Sequence, residues 1–172
     1  SMSKDTIEDL LLAKEERVNF QYELIDKYKL PIVSMRVNYP GINKDNELSR
    51  KIAEIIKNEL ISKFKENIVY KDYKNTAEGP VFTLVLKNIA EEIKRKTVDV
   101  EEHHLLGRCV DIDVYDAQGN GLSRTSLGLP SRKCFLCEDK AQNCGRSRKH
   151  NIEDVVGFIE NKYNEYMLQH NI

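Results

Sequence analysis

The chain has 172 residues, 40% hydrophobic and 32% charged, and its 27 basic and 28 acidic side chains leave a net charge of -1. This length suits one domain with a sizeable core, and the charge balance excludes a molecule that attracts nucleic acid over its whole surface. No apolar run approaches the roughly 20 residues of a membrane-spanning helix or the apolar segment of a secretory signal. We therefore expect a cytoplasmic protein without membrane or nucleic-acid partners, in which residues 3–172 form a single domain and residues 1–2 are a tag remnant.

Residues 5–64 are predicted to form two helices with one strand between them. Apolar side chains recur at helical spacing over residues 5–28, which favours a surface helix with one buried stripe. Residues 30–39 are rich in β-branched side chains and predict a strand, which Pro40 and Gly41 terminate. The amphipathic pattern returns over residues 45–64 and predicts a second helix. The buried stripe of the first helix is predicted to contain Ile7, Leu10, Leu11, Val18, Ile25 and Tyr28.

Residues 68–126 are predicted to consist mainly of strands. Residues 68–70 suggest a short strand, and residues 80–86, apolar almost throughout, predict a strand buried on both faces. A short helix around Ile93 is predicted to give way to a strand over residues 97–100. Residues 109–115 and 122–126 are expected to pair as a hairpin across a turn rich in glycine and asparagine.

The final element is a predicted helix over residues 152–168, for which Asn151 is a suitable N-cap. The succession of elements predicts an α+β fold with some α/β character. In this fold, helices flank a mixed but mainly antiparallel sheet.

Two carboxylates stand out in the strand predicted at residues 109–115. Asp111 and Asp113 lie two residues apart, and because side chains alternate along a strand, both should point to the same face. Such a pair suits Mg²⁺, which takes hard oxygen ligands and leaves positions for water and substrate phosphates. Glu101 is a candidate third ligand, since two-metal phosphoryl chemistry often requires another carboxylate. The alternative is a pair of solvated acids on an edge strand with no ion bound.

Basic side chains lie close to the two aspartates in the sequence. If the following loop folds back over the carboxylates, its guanidinium groups would bind phosphate oxygens bidentately. The combination indicates a polyphosphate substrate, whereas any one of these arginines taken alone is equally consistent with a solvated surface charge. The basic residues are Arg108, Arg124, Arg132, Lys133, Arg146, Arg148 and Lys149.

Three of the four cysteines lie in one short segment near the C-terminus. Cys134, Cys137 and Cys144, together with His150, offer three sulfurs and one imidazole, a donor set suited to tetrahedral Zn²⁺. Such an ion would fix the loop rather than catalyse, since four protein ligands leave no open position. The spacing departs from that of paired zinc knuckles, so reduced thiols in a basic pocket are the alternative.

The motifs also occur in an order that is similar to one known family. The matching segments are residues 11–18 with Gln21, 38–41 with Lys44, 78–80, Lys94, Glu101 and Glu102, 106–114, Ser123 and Arg124, Leu129 and Pro130, 132–138, Ala141, Cys144, Arg146 and His150. They resemble, nearly end to end, the apo-citrate lyase phosphoribosyl-dephospho-CoA transferases. The chain departs at Cys109 and Val110, where that family more typically has Leu-Trp or Leu-Phe.

The resemblance implies transfer of a 2'-(5''-phosphoribosyl)-3'-dephospho-CoA group from its triphosphate precursor to a serine of the citrate lyase acyl-carrier (gamma) subunit, with release of pyrophosphate. Residues 107–113 also resemble a short nucleotidyltransferase signature, with Arg108 in place of its usual serine. The implied site lies on a central strand, with Asp111 and Asp113 as catalytic, Mg²⁺-binding residues. The implied substrate-binding residues are Lys94, Gly107, Arg108, Arg124, Arg132 and Arg146.

Two other functions are consistent with the residues. One is a nucleotidyltransferase that uses ATP or another common nucleotide. The other is a non-enzymatic, zinc-stabilised module whose basic loop contacts RNA or another acidic partner.

Overall fold

The computed structural model describes residues 6–134, 136–147 and 150–170, with the side chains of 145–147 excepted. Asp5, Arg148 and Lys149, which entered the sequence predictions, lie outside the described residues. The fold is α+β, as predicted. Its helices and strands are α1 (Ile7–Tyr28), β1 (Ile32–Val37), α2 (Glu47–Phe64), β2 (Ile68–Thr76), β3 (Gly79–Leu86), α3 (Ala90–His103), β4 (Val110–Tyr115), α4 (Ala141–Ser147) and α5 (Ile152–Gln169).

The four strands form one antiparallel sheet in the order β2-β3-β1-β4. The aspartate-bearing strand β4 is thus an edge strand, and its prediction as a central strand is wrong. Side chains take the place of a fifth strand along its outer edge. Glu101 Oε2 accepts the Ile112 N–H at 3.1 Å, and Arg132 Nη1 donates to the Val110 carbonyl at 2.8 Å. These bonds satisfy backbone groups that an uncovered edge would leave to water.

The main hydrophobic core lies on one face of the sheet, beneath α2, α3 and α5. Because side chains alternate along a strand, β4 sends Val110, Ile112 and Val114 into this core and turns the residues between them to the other face. Strand β3 is buried along its whole length, as predicted. Helix α5 begins where predicted, because Asn151 Oδ1 accepts the Asp154 N–H at 2.8 Å.

Helix α1 packs on the opposite face and covers only part of it. Leu24 and Ile25 contact Ile32 and Val85 in a second, smaller cluster. The predicted buried stripe is right for Ile25 but wrong for the first turns, where Ile7 and Leu11 are 66% and 62% exposed. None of the helices in the described part of the chain is both long and apolar enough to cross a membrane.

The segment between β3 and β4 differs from its prediction. It is the single helix α3, and the strand predicted at residues 97–100 does not form. Val98, Val100 and Thr97 are β-branched, but they share the buried face of the helix with Ile93 and Ala90. Packing of this face against the sheet outweighs the weak strand preference of the β-branched side chains.

The predicted hairpin after β4 is also incomplete. Tyr115 forms an isolated bridge with Gly121, and the chain then turns into a short 3-10 helix, Thr125–Leu127. The Ser123 hydroxyl accepts the Ser126 N–H at 3.2 Å, and the Ser126 hydroxyl donates to the Ser123 carbonyl at 2.7 Å. These local side-chain bonds compete with ladder pairing and end the hairpin after one bridge.

Candidate active site

Asp111 and Asp113 lie on the same face of β4, as predicted from their spacing. They stand opposite Arg36 and Ser34 of β1, and the intervening Ile112 is buried on the core side. The two aspartate side chains are 42% and 40% exposed. We refer to β4 (Val110–Tyr115) as the acid strand.

Each aspartate is paired with one arginine. Arg132 Nη1 lies 2.9 Å from Asp111 Oδ1, and Arg36 Nη2 lies 3.3 Å from Asp113 Oδ2. These two contacts use one oxygen of each carboxylate. Desolvation by the surrounding protein raises the pKa of Asp111 above its ordinary value, although Arg132 and Arg36 act to lower it.

Glu101 is 5% exposed and lies between two arginines. Its Oε1 accepts from Arg124 Nη2 at 2.9 Å, and its Oε2 lies 3.3 Å from Arg132 Nη1. Arg124 also pairs with the neighbouring Glu102 and thereby lowers the pKa of that carboxyl. Because Oε2 also accepts the Ile112 N–H, both Glu101 oxygens are engaged in orienting arginines and the acid strand. The structure therefore places Glu101 beside the aspartates as an anchor for Arg124 and Arg132.

A second group of charges extends from Asp113 to α1. Its members Arg17, Lys44 and Glu78 lie in segments that resemble the family, but they were not among the predicted site residues. Glu78 lies at the β2–β3 turn, and its Oε2 accepts from Arg17 Nε at 2.7 Å. Arg36 Nη1 lies 3.6 Å from Glu78 Oε1, so Arg36 links Glu78 to Asp113. Lys44 lies close to Arg36 and Asp111, and burial lowers its pKa.

One local signal could have pointed to Arg17. It is four residues before Gln21, and both are in helical phase with the buried Leu24 and Ile25. Polar side chains that continue the buried stripe of a helix indicate that this part of the helix faces a polar site instead of the hydrophobic core. The contact with Glu78 carried no local signal, because 61 residues separate the two side chains.

Buried polar atoms on the α1-facing side of the sheet lack hydrogen-bond partners among the described residues. Among them are Ser34 Oγ and Arg36 Nε, on the β1 residues opposite Asp113 and Asp111, and Gln21 Nε2 of α1. Buried polar groups in proteins are normally satisfied, so unpartnered atoms on the two residues opposite half-exposed carboxylates are typical of a polar ligand site.

Lys94 is buried on α3, two helical turns before Glu101. Burial lowers its pKa, while Glu101 and Asp113 act in the opposite direction. The Lys94 ammonium group is thus close enough to Glu101 and Asp113 to interact with their charges, and its part in substrate binding stays a prediction.

Gly107 and Arg108 contact the protein itself. A Cβ on Gly107 would lie 2.1 Å from the Val100 carbonyl oxygen, so only glycine allows the chain to pass the end of α3. The Gly107 carbonyl accepts from Arg132 Nη2 at 2.8 Å.

Arg108 Nη2 donates to the carbonyls of Lys133 and Cys134, at 3.0 and 2.9 Å. Arg146, the remaining predicted phosphate ligand, lies in α4 with a side chain outside the described part.

The candidate zinc ligands are close together. One ligand atom from each of Cys134, Cys137, Cys144 and His150 lies within 4.8 Å of all the others. The Cys137 and Cys144 sulfurs are 3.5 Å apart, and all four cysteines of the chain are unbridged. Among the described residues, this is the only group of three or more His, Cys, Asp or Glu side chains that could hold a metal ion.

Comparison with known proteins gives a consistent result. Residues 5–166 match the family model of the apo-citrate lyase phosphoribosyl-dephospho-CoA transferases. A Vibrio cholerae protein named "Probable apo-citrate lyase phosphoribosyl-dephospho-CoA transferase" is 35% identical over 165 residues, which cover 94% of this chain and 93% of the relative. Proteins with that name, without "Probable", from Citrobacter koseri and Escherichia coli are 34% and 33% identical. Those alignments cover 88% and 93% of this chain, and 84% and 89% of the relatives.

Proposed function

The chain belongs to the family of apo-citrate lyase phosphoribosyl-dephospho-CoA transferases, and from this premise we propose that the acid strand is its catalytic site. The chain is a transferase that places the phosphoribosyl-dephospho-CoA group on apo-citrate lyase. The donor in our proposal is the triphosphate precursor, triphosphoribosyl-dephospho-CoA. The acceptor is a serine of the acyl-carrier (gamma) subunit, and pyrophosphate is released.

The observation that supports this assignment is that Asp111 and Asp113 lie on one face of the sheet, each in contact with an arginine. Each carboxylate keeps one oxygen outside its arginine contact, which suits Mg²⁺ because that ion commonly uses one or two protein carboxylates. Mg²⁺ bound there would neutralise charge on the α-phosphate and on the pyrophosphate leaving group. Arg36 and Arg132 hold the two carboxylates in place beside the reacting phosphate.

The cations that face the aspartates bind the phosphates in this proposal. Lys94 is buried and Lys44 is partly buried, and burial lowers the pKa of each, so the ammonium form of each gains when a phosphate supplies a counter-charge. Arg124 is held by Glu101 and Glu102 and has further N–H donors. The unpartnered atoms of Gln21 and Ser34 supply uncharged contacts on the same face.

The proposed reaction is an in-line displacement at the α-phosphorus. A bond forms between the serine oxygen of the carrier and phosphorus, and the bond from phosphorus to the bridging oxygen breaks. Pyrophosphate leaves with that electron pair, and the serine proton passes to solvent water. The nucleophile belongs to the partner, so the chain's own residues bind, orient and stabilise charge.

Intact-mass measurement of the carrier tests the proposal. The purified chain is incubated with apo-carrier and the triphosphate precursor, with Mg²⁺ or with a chelator. We expect the carrier to gain the mass of one phosphoribosyl-dephospho-CoA group only when Mg²⁺ is present. Pyrophosphate should be released in equal amount.

Matched reactions separate the donor from the acceptor. ATP in place of the precursor should leave the carrier mass unchanged, and so should a carrier in which the acceptor serine is replaced by alanine. Equal modification of the carrier with ATP, or full transfer in the chelator, would contradict the proposed donor or the proposed metal.

A further inference from the structure

We propose that Cys134, Cys137, Cys144 and His150 bind one structural Zn²⁺ ion, which fixes the loop that carries Arg132 to the acid strand. This site lies outside the proposed catalytic site. The loop concerned, residues 132–144, is called the cysteine loop below.

The donor geometry matches tetrahedral zinc. With Zn–S bonds of about 2.3 Å, the sulfurs of a tetrahedral site lie about 3.8 Å apart. The separation of 3.5 Å between Cys137 and Cys144 is close to this value, and all four ligand atoms fall within 4.8 Å of one another. His150 Nε2 is buried and has no hydrogen-bond partner among the described residues, as expected of a nitrogen whose partner is an ion.

The hydrophobic core contributes little to holding this shape. Among the described residues between Tyr115 and Asn151, the buried hydrophobic side chains are those of Cys134 and Cys144, and no other hydrophobic side chain there packs against the two core clusters. A segment of this length without buried aliphatic or aromatic side chains gains little from the hydrophobic effect. Small units of this kind are commonly stabilised by a structural metal, whose binding free energy contributes directly to folding.

Backbone hydrogen bonds close the cysteine loop and bring its candidate zinc ligands together. The Cys134 N–H donates to the Asp139 carbonyl at 2.8 Å, and the Ala141 N–H donates to the Arg132 carbonyl at 3.0 Å. Lys133 and Lys140 form an isolated antiparallel bridge between these two bonds. The turn brings Cys137 beside the first turns of α4, where Cys144 lies.

The same loop is joined to the acid strand through two arginines. Arg132, at the start of the loop, contacts Asp111 and the carbonyls of Val110 and Gly107. Arg108, just before the acid strand, holds the carbonyls of Lys133 and Cys134. Zinc binding would therefore fix Arg132 in position relative to Asp111, and it would do so without contacting the substrate.

Metal analysis of the reduced, full-length protein, prepared without a histidine tag, tests the site. We expect one Zn²⁺ per chain in the wild type. Replacement of Zn²⁺ by Co²⁺ should give the absorption of a tetrahedral thiolate-bound ion. Cys137→Ser and His150→Ala should each lose the metal. Cys109→Ala is the matched control, because this buried cysteine lies outside the cluster, and it should keep one Zn²⁺ per chain.

If the variants do not fold, hydrogen exchange of the wild-type protein with and without metal still tests the zinc site. After removal of the metal by a chelator, exchange should increase in residues 132–144 and remain slow in α2 and β3, and added Zn²⁺ should restore protection. A reduced wild type that takes up no Zn²⁺ when it is supplied would overturn the proposal. A Cys137–Cys144 disulfide in the freshly isolated protein, or undiminished zinc in both ligand variants, would do the same. None of these measurements depends on transferase activity. A negative result would therefore count against the zinc site and not against the proposed function.

Discussion

The two faces of the sheet are built from the same strands but differ in what they contain. On one face, Val33 and Met35 of β1, Leu84 of β3 and Ile112 of β4 are buried among the side chains of α2, α3 and α5. On the other, the alternate residues include Arg36, Asp111 and Asp113, and α1 covers only part of the surface. One face is fully packed, whereas the other is charged and partly open.

This difference between the faces assigns stability mainly to the apolar face and function mainly to the charged face. The apolar face gains free energy from every side chain that it buries. The charged face holds desolvated ions and unpartnered polar atoms, such as Ser34 Oγ, that would be better solvated in water. Such an arrangement persists in a fold only where the rest of the structure supports it, and it is typical of functional sites.

The largest expected effect is on the charged face. Asp111→Asn keeps the size of the side chain but removes its charge, and therefore a ligand for the proposed Mg²⁺. We expect kcat for transfer to fall by about 10²- to 10³-fold or more, while the protein stays folded. Asp99→Asn is the control, because Asp99 is a paired, half-exposed aspartate on α3 whose partners are Lys63 and His103. Transfer by Asp111→Asn at the rate of Asp99→Asn would refute the catalytic assignment.

The opposite face should respond in the opposite way. Leu84→Ala removes a fully buried side chain and should lower the free energy of unfolding by about 2–5 kcal/mol, measured by urea denaturation. Transfer per folded molecule should stay near the wild-type value. Leu12→Ala makes the same change at a leucine that is 55% exposed, and its effect should stay within about 0.5 kcal/mol. Equal destabilisation by the two variants would mean that the apolar face is not the main source of stability.

Sequence periodicity was sufficient to predict the features of the fold that depend on interactions between residues close together in the chain. The alternation in residues 109–115 placed Asp111 and Asp113 on one face, and the apolar run of residues 80–86 predicted the fully buried β3. Helices α2 and α5 followed from amphipathic spacing and, for α5, from the N-cap Asn151. In each case the determining interactions lie within a few residues along the chain.

The rest depended on contacts between distant residues. Arg36 meets Asp113 across 77 residues, and Glu78 meets Arg17 across 61, so both pairs follow from strand register and helix placement rather than local pattern. Helix α3 replaced the predicted strand because its buried face packs on the sheet. Arg108 turns to the cysteine loop because that loop offers it two carbonyls.

A buried ion pair on the charged face offers a third test. The Arg17 and Glu78 side chains are each 8% exposed, so Glu78→Gln would leave Arg17 without a counter-charge in a poorly solvated position. We expect the free energy of unfolding to fall by about 2–4 kcal/mol, since breaking one partner of a buried pair is costly. Glu47→Gln removes the partner of Lys51 on the surface of α2, and no measurable change is expected. Equal effects would show that Arg17 is better solvated than the contacts indicate.

Gly107 tests the junction between the two faces. Gly107→Ala would bring a Cβ within 2.1 Å of the Val100 carbonyl oxygen and displace the chain just before the acid strand. We expect a loss of about 1–3 kcal/mol in the free energy of unfolding, together with reduced transfer. Gly157→Ala is the matched control, because nothing lies within 4 Å of the added Cβ in the interior of α5, and it should stabilise by about 0.5–1 kcal/mol. A stable, active Gly107→Ala protein would show that α3 and the acid strand can separate without loss of the site.

The smallest expected effect is a gain in stability. Because burial lowers the pKa of Lys94, its ammonium form is less favourable in the folded than in the unfolded chain at neutral pH. Lys94→Met, measured without Mg²⁺, should therefore raise the free energy of unfolding by about 0.5–2 kcal/mol while transfer falls. Between the folded and unfolded pKa of Lys94 the unfolded chain binds more protons, so wild-type stability rises with pH and the advantage of Lys94→Met shrinks. Lys87→Met makes the same change at an exposed lysine and should not show the gain. A destabilised Lys94→Met protein at neutral pH would mean that Glu101 and Asp113 outweigh desolvation, and that this part of the charged face stabilises the fold.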